Sequence, residues 1–151
     1  MKYEKIAAHI LKNMYKEKRM LIDDSDPNNI MVCLDNVMIV NFPKDLFPFI
    51  SEWFERADLH RLTKDLEYDG VEGHLTNRSI KFDKRTFYEI QDEQGRLIYI
   101  DIRYLDLYGF NEPLFIINTN NQYAPVLVYD TFGGATRKHW QAAIMPAKIE
   151  V

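Results

Sequence analysis

Five residues that could bind a metal or transfer protons lie close together in the middle of the chain: His60, Asp65, Asp69, Glu72 and His74. Imidazole and carboxylate groups serve as metal ligands and as general acids or bases. Their spacing, however, matches no ordered pattern of a metal site, such as His-Glu-x-x-His. We therefore favour a solvated loop, keep a metal-dependent hydrolase at His60 to His74 as an alternative, and expect no metal and no cofactor.

Two other chemistries find little support in the sequence. Residues 23–29 are rich in Asp and Asn, and a calcium loop counted from Asp24 has its sixth position at Asn29, where glycine is needed. A polar linker is the better prediction for this segment. Neither serine nor cysteine occurs in a nucleophile motif such as Gly-x-Ser-x-Gly, so we predict no catalytic residue and no enzyme.

Basic residues are concentrated in parts of an otherwise acidic chain. The 151 residues carry a formal charge of −4, yet residues 1–19 hold six bases against two acids. Because a dedicated nucleic-acid-binding protein is usually basic overall, we keep nucleic-acid binding only as an alternative function. Its candidate contacts are Lys12, Lys16, Arg19, Arg137 and Lys138. A further basic cluster surrounds Phe82 and contains Arg78, Lys81, Lys84 and Arg85.

The N-terminal segment has the pattern of an amphipathic helix. Its apolar residues recur at intervals of three and four and include Ile6 and Ile10. We predict a basic helix over residues 2–21, packed on its own domain. Residues 1–29 would thus form an appended helix and polar linker, and residues 30–151 a single domain.

Turn-forming residues divide the rest of the chain into strands. Asp35 and Asn36 separate two β-rich runs, and residues 92–95 separate two more, so each pair is predicted to be a hairpin. Further strands are predicted at residues 114–118, 125–129 and 140–145. Asp45 resembles a helix N-cap, which predicts a helix over residues 46–57, and a short helix is predicted over 102–110. The fold class is α+β, an antiparallel sheet with helices on one face.

Two strand-to-helix junctions look alike and predict two related strand-helix-strands halves. Residues 38–42 lead into the Asp45 helix, and residues 98–101 lead into the helix beginning at Ile102. The C-terminal sequence resembles that of the last domain of bacterial sliding clamps, the DNA polymerase III beta subunit. This resemblance covers residues 98–149 and rests on three segments: Tyr-Ile-Asp-Ile-Arg-Tyr-Leu from Tyr99, Ala-Pro-Val-Leu-Val from Ala124, and Ala-Ile-Met-Pro-Ala-Lys-Ile from Ala143.

The resemblance implies a non-enzymatic, clamp-like protein-interaction module, accessory to DNA replication or to phage and mobile-element biology. In the clamp family a terminal Met-Pro segment helps to form an apolar groove for short peptides, and Tyr104, Met145 and Pro146 match those positions. A protein or peptide is therefore the expected partner, with DNA as the alternative. Homo-oligomers are also implied, since a ring of such single-domain chains would need about six copies.

Composition sets the expected compartment. The single cysteine, Cys33, lies in an apolar run and cannot form an internal disulfide. No apolar stretch approaches the roughly 20 residues that a membrane-spanning helix needs, and the charged N-terminus is unlike a signal peptide. We expect a cytoplasmic protein without membrane contact.

Overall fold

A computed structural model describes residues 2–14, 20–35, 37–64, 70–106, 109–118, 120, 121 and 124–147. These residues form a mixed fold of helix and sheet, dominated by one sheet of ten strands. The strands are β1 (Leu21–Asp23), β2 (Asn29–Leu34), β3 (Met38–Pro43), β4 (Glu55–Arg56), β5 (Val71–Phe82), β6 (Arg85–Asp92), β7 (Leu97–Asp101), β8 (Pro113–Ile117), β9 (Val126–Asp130) and β10 (Ala142–Ile144).

Helices are few within the described residues. The α-helices are α1 (Tyr3–Met14) and α2 (Ile102–Asp106). Single 3-10 turns occur at Lys44–Leu46, Ser51–Trp53, His60–Leu62, Thr131–Gly133 and Arg137–His139.

Neighbouring strands pair antiparallel throughout the sheet, except for β1 and β4, which are parallel. Their spatial order is β4-β1-β2-β3-β10-β9-β8-β5-β6-β7. The last strand in sequence, β10, thus lies between β3 and β9 in the interior of the sheet. The predicted hairpins β2–β3 and β6–β7 are confirmed, as are the strands predicted at residues 114–118, 125–129 and 140–145.

Both faces of the sheet are apolar because successive side chains of a strand point to opposite faces. On one face, Ile6 and Ile10 of α1 and Leu105 of α2 join side chains from the strands in a large core. Ile22 of β1 and Ile100 of the edge strand β7 belong to this same cluster, so the sheet curls around it. The other face holds a smaller cluster that includes Met31, Leu59, Leu127 and Trp140.

The predicted N-terminal helix is observed as Tyr3–Met14, and residues 15–19 lie outside the described part. β1 lies within the predicted linker and pairs with β2, so residues 1–29 contribute a strand to the sheet of residues 30–151.

The prediction of a helix over residues 46–57 was wrong. The structure has a 3-10 turn at Lys44–Leu46, another at Ser51–Trp53, and then β4. Phe47 precedes Pro48 and has an extended backbone, with φ −78° and ψ 109°. A residue before proline is disfavoured in the helical region, so the helix cannot propagate past Phe47.

Candidate functional site

The segment that joins β3 to β4 folds onto a cluster of phenylalanine rings. The ring centroid of Phe47 lies 5.5 Å from those of Phe42 and Phe49, and 5.7 Å from that of Phe54. Phe42 and Phe54 are buried, and the other two rings pack against the same core. Tilted and edge-to-face pairs at such distances add to the stabilisation that burial provides. This aromatic cluster therefore holds the segment firmly, although its helices are single turns.

Three large apolar residues of the same segment lie on its outer side. Leu46 is 56% exposed, Ile50 53% and Trp53 53%. We call these three residues the apolar platform. Isolated exposed apolar residues are ordinary, but three within eight positions of one segment make this segment a candidate docking surface.

The charges around the apolar platform are mainly acidic. Exposed carboxylates on the same segment belong to Asp45, Glu52, Glu55 and Asp58. Of the neighbouring bases, Arg56 is engaged, because its Nε lies 3.2 Å from Oδ2 of Asp24. We call these four carboxylates the acidic rim. Their charge favours a partner in which basic residues flank the apolar anchors.

This surface was not predicted, because in a helix over residues 46–57 the spacing of Leu46, Ile50 and Trp53 would place them on a buried face. The signal that could have found it is the Phe47-Pro48 pair, which opposes a helix. Because no helix forms, the phenylalanine side chains of this segment occupy the interior, and Leu46, Ile50 and Trp53 remain exposed to solvent.

The predicted peptide groove comprises Tyr104, Met145 and Pro146. Met145 is 41% exposed, and the other two residues are partly buried. Burial raises the pKa of the Tyr104 phenol, and the negative charge of Asp35 adds to this rise. Asp35 belongs to the β2–β3 turn, and the backbone N–H of Met145 donates to the carbonyl oxygen of Val37 just after that turn, at 2.8 Å. The structure thus places the Met145 backbone beside this turn, with the Tyr104 phenol near enough to Asp35 for its charge to act on it.

This neighbourhood is also tied to the edge of the sheet. The backbone N–H of Ala147 donates to the carbonyl oxygen of Tyr99 on β7 at 2.9 Å. Neither of the two cavities described below has Tyr104, Met145 or Pro146 in its lining. The predicted groove residues therefore form a surface beside the C-terminal segment.

The candidate nucleic-acid contacts lie on opposite faces of the sheet. Lys12 is exposed on α1, which packs against the large core. Arg137 lies in the loop of Ala135 and Trp140, which pack on the other face, and its guanidinium donates to the carbonyl oxygen of Gly70 at 2.6 Å. Lys16, Arg19 and the side chain of Lys138 lie outside the described residues.

The histidines of the segment 60–74 lie at two separate positions of the sheet. His60 Nδ1 lies 3.7 Å from Oδ2 of Asp23 on β1, whereas His74 Nε2 lies 3.6 Å from Oε2 of Glu72 on β5. Five strands separate β1 from β5 in the sheet. Asp65 and Asp69 lie outside the described residues, and within those described no three His, Cys, Asp or Glu residues are grouped to hold a metal.

Asp23 is a buried carboxylate that joins β1 to the loop before His60. Its Oδ1 accepts from the Ser25 backbone and hydroxyl at 3.0 and 2.6 Å, and its Oδ2 accepts from the Leu59 and His60 backbones at 2.9 and 3.2 Å. Burial acts to raise the pKa of Asp23, but these hydrogen bonds outweigh burial and lower it to about 2. Asp23 therefore stays charged and has a structural role.

Two of the cavities in the described part of the chain are lined mainly by residues with polar side chains. The larger, of about 660 Å³, includes Asp26, Asn28, Asn41, His60, His139 and Gln141 in its lining. The smaller, of about 420 Å³, lies beside the irregularity in β5 and includes His74, Thr76, Arg78 and Asp92. Ligand pockets are usually mostly apolar with a few polar groups, so neither cavity has the typical character of one.

Comparisons of the chain with models of protein families, with curated proteins and with solved structures found no match. Among the described residues, no helix has the length and apolar character needed to cross a membrane. The function is therefore inferred from the geometry of the chain itself.

Proposed function

We propose that this protein is a non-enzymatic protein-interaction module of clamp-like architecture, whose apolar platform binds an apolar, basic segment of a partner protein. The observation that carries the proposal is the exposure of Leu46, Ile50 and Trp53 on a segment held by the aromatic cluster. A surface that is apolar and already ordered loses little conformational entropy on binding, which favours affinity.

The energetics fit a weak affinity. Half-burial of each platform side chain contributes roughly 1 kcal/mol, and tryptophan is among the residues that most often dominate the energy of an interface. Charge pairing with the acidic rim adds specificity and a faster association rate. We expect a dissociation constant of high-micromolar order or weaker, with Trp53 as the main anchor and contacts outside the platform supplying the rest of the binding free energy.

Two features support the clamp-like part of the proposal. β7 continues into α2, as the resemblance implies, whereas β3 continues only into a single 3-10 turn at Lys44–Leu46. The Tyr104, Met145 and Pro146 surface is the second candidate for a peptide site, because Tyr104 and Met145 lie near the β2–β3 turn. The two surfaces are separable by mutation.

The test is selection of binding peptides from a displayed random library, followed by fluorescence anisotropy with the selected peptides. We expect enrichment of peptides that combine apolar and basic residues. Trp53→Ala should weaken their binding at least tenfold, because it removes the central apolar anchor. Phe132→Ala is the matched control, because Phe132 is 71% exposed and lies on a different segment.

The outcomes distinguish the two surfaces. Loss of binding in Met145→Ala but not in Trp53→Ala would move the site to the Tyr104, Met145 and Pro146 surface and overturn the platform. Failure to enrich any peptide that binds the folded protein would overturn the interaction module itself. Equal loss in Trp53→Ala and Phe132→Ala would show that the peptides bind exposed aromatics without specificity.

A further inference from the structure

We infer that the tip of the β5–β6 hairpin is a binding site for single-stranded nucleic acid. The hairpin tip consists of Lys81, Phe82, Asp83, Lys84 and Arg85. It shares no residue with the apolar platform, so this inference is independent of the proposed protein partner.

The hairpin tip extends beyond the strands on both sides of it. β5 pairs with β8 only from Val71 to Gly73, although it continues to Phe82. β7 pairs with β6 only up to Phe87. The last hairpin pair, Phe82 with Arg85, therefore has no strand beside it, and all five tip residues are exposed. A projecting tip of this kind can reach a partner without interference from the rest of the sheet.

The cations of the hairpin tip form no close ion pair within the described residues, although Arg85 is near enough to Asp101 for the two charges to interact. Arg78 forms an ion pair with Glu89, and Arg103 forms one with Asp101. In the described part of the chain, by contrast, no carboxylate oxygen lies within 4.0 Å of the side-chain nitrogens of the tip cations, which are Lys81, Lys84 and Arg85. A protein with a formal charge of −4 thus presents three exposed cations at one point, against the single carboxylate of Asp83 in the same tip. A polyanion is the partner that such a point attracts.

Lys84 occupies a backbone conformation that favours glycine. The turn residues Asp83 and Lys84 have φ of +50° and +64°. Two-residue hairpins of this kind most often have glycine at the second position, because glycine has no Cβ to clash. A lysine there adds a cation at the apex at a cost in stability. Strain held at one exposed position points to a functional role for the side chain.

Phe82 adds an exposed aromatic ring to the cations of the hairpin tip. Lysines on an unpaired strand edge also prevent edge-to-edge aggregation, which would account for Lys81 alone. Phe82, however, is 47% exposed beside them, and an exposed phenylalanine works against that protection. Cations that follow a phosphate backbone, together with an aromatic ring that stacks on an unpaired base, are the combination that binds single strands. Duplex bases are already stacked on each other and offer Phe82 no free face.

The first experiment measures the affinity of the full chain for fluorescently labelled oligothymidylate across a salt series. Three phosphate contacts predict a slope of log K against log[salt] of about −2, since each contact on a single strand contributes about −0.7. The triple variant Lys81→Gln, Lys84→Gln, Arg85→Gln should lose this slope and bind at least tenfold more weakly at low salt. The triple variant Lys44→Gln, Arg61→Gln, Lys64→Gln changes the net charge equally at exposed residues elsewhere and should retain wild-type binding.

Single variants separate stacking, charge and folding. Phe82→Ala should weaken oligothymidylate binding about tenfold, whereas Phe132→Ala should not change it. Lys84→Gly should raise the thermal midpoint by about 2 °C, because it relieves the positive φ, and should reduce the salt slope by about 0.7. A purely structural role for Lys84 would not predict this gain in stability together with a loss of binding.

Several results would overturn the inference. These are absence of oligothymidylate binding at low salt, equal losses in the two triple variants, or tighter binding to duplex than to single strands. Polyglutamate binding as tight as oligothymidylate would assign the hairpin tip to acidic proteins instead. None of these results would alter peptide binding at Trp53, so the failure of this inference and of the proposed function are distinguishable.

Discussion

Replacing Asp23 by asparagine should destabilise the protein in a way that depends on pH. The hydrogen bonds to its carboxylate lower the pKa from 3.8 to about 2. A depressed carboxylate pKa stabilises the folded state above the unfolded pKa, and this stabilisation is lost as the pH falls through the folded value. The shift corresponds to about 2 kcal/mol at pH 7, of which roughly half should remain near pH 3 and little near pH 2.

The measurement is urea denaturation of wild type and Asp23→Asn at pH 7, 3 and 2. We expect the difference in the free energy of unfolding to shrink as the pH falls. Asp24→Asn is the control, because Asp24 forms only a partly exposed ion pair with Arg56, worth less than about 1 kcal/mol. A difference for Asp23→Asn that is equal at pH 7 and pH 2 would refute the reasoning, as would no difference at pH 7.

Two further predictions concern packing. Ile10→Ala should lower the free energy of unfolding by about 2–4 kcal/mol, because Ile10 is fully buried between α1 and the sheet, whereas Leu11→Ala at a 48% exposed residue should cost much less; equal losses in urea denaturation would contradict this. Gly73→Ala should lower the thermal midpoint by a few degrees, because a Cβ there would lie 2.6 Å from Cδ1 of Ile117 and force about 1 kcal/mol of repacking. An unchanged midpoint would show that Ile117 moves without cost.

The sequence predicted correctly those hairpins whose turn is determined by the residues of the turn itself. The β6–β7 hairpin was predicted because Gly95 supplies the positive φ of its loop, +81°. β5 was missed because two irregularities interrupt its alternating pattern. Gly73 sits where Ile117 approaches the backbone, and Asn77, with φ of +66°, marks a shift in register. Each reflects a contact with another strand, which a single stretch of sequence does not encode.

The candidate sites likewise combine features that the sequence reveals with features that only the fold reveals. The basic cluster around Phe82 was visible in the sequence, but only the pairing of β5 and β6 reveals that it projects beyond its neighbours. The tie between Asp23 and His60 joins residues 37 positions apart and depends on where β1 lies in the sheet. The apolar platform was hidden because a short apolar stretch fits helical spacing as well as a folded loop.

The interior position of β10 has a consequence for how the chain is made. β10 pairs with β3 on one side and with β9 on the other, so it completes the sheet between them. Among the strands of the described residues, it is the last that a ribosome synthesises. Until residues 142–144 emerge, β3 and β9 each present an unpaired edge, and unpaired edges are sites of aggregation. We therefore expect chains truncated before residue 145 to aggregate, because the strand order leaves two edges unpaired.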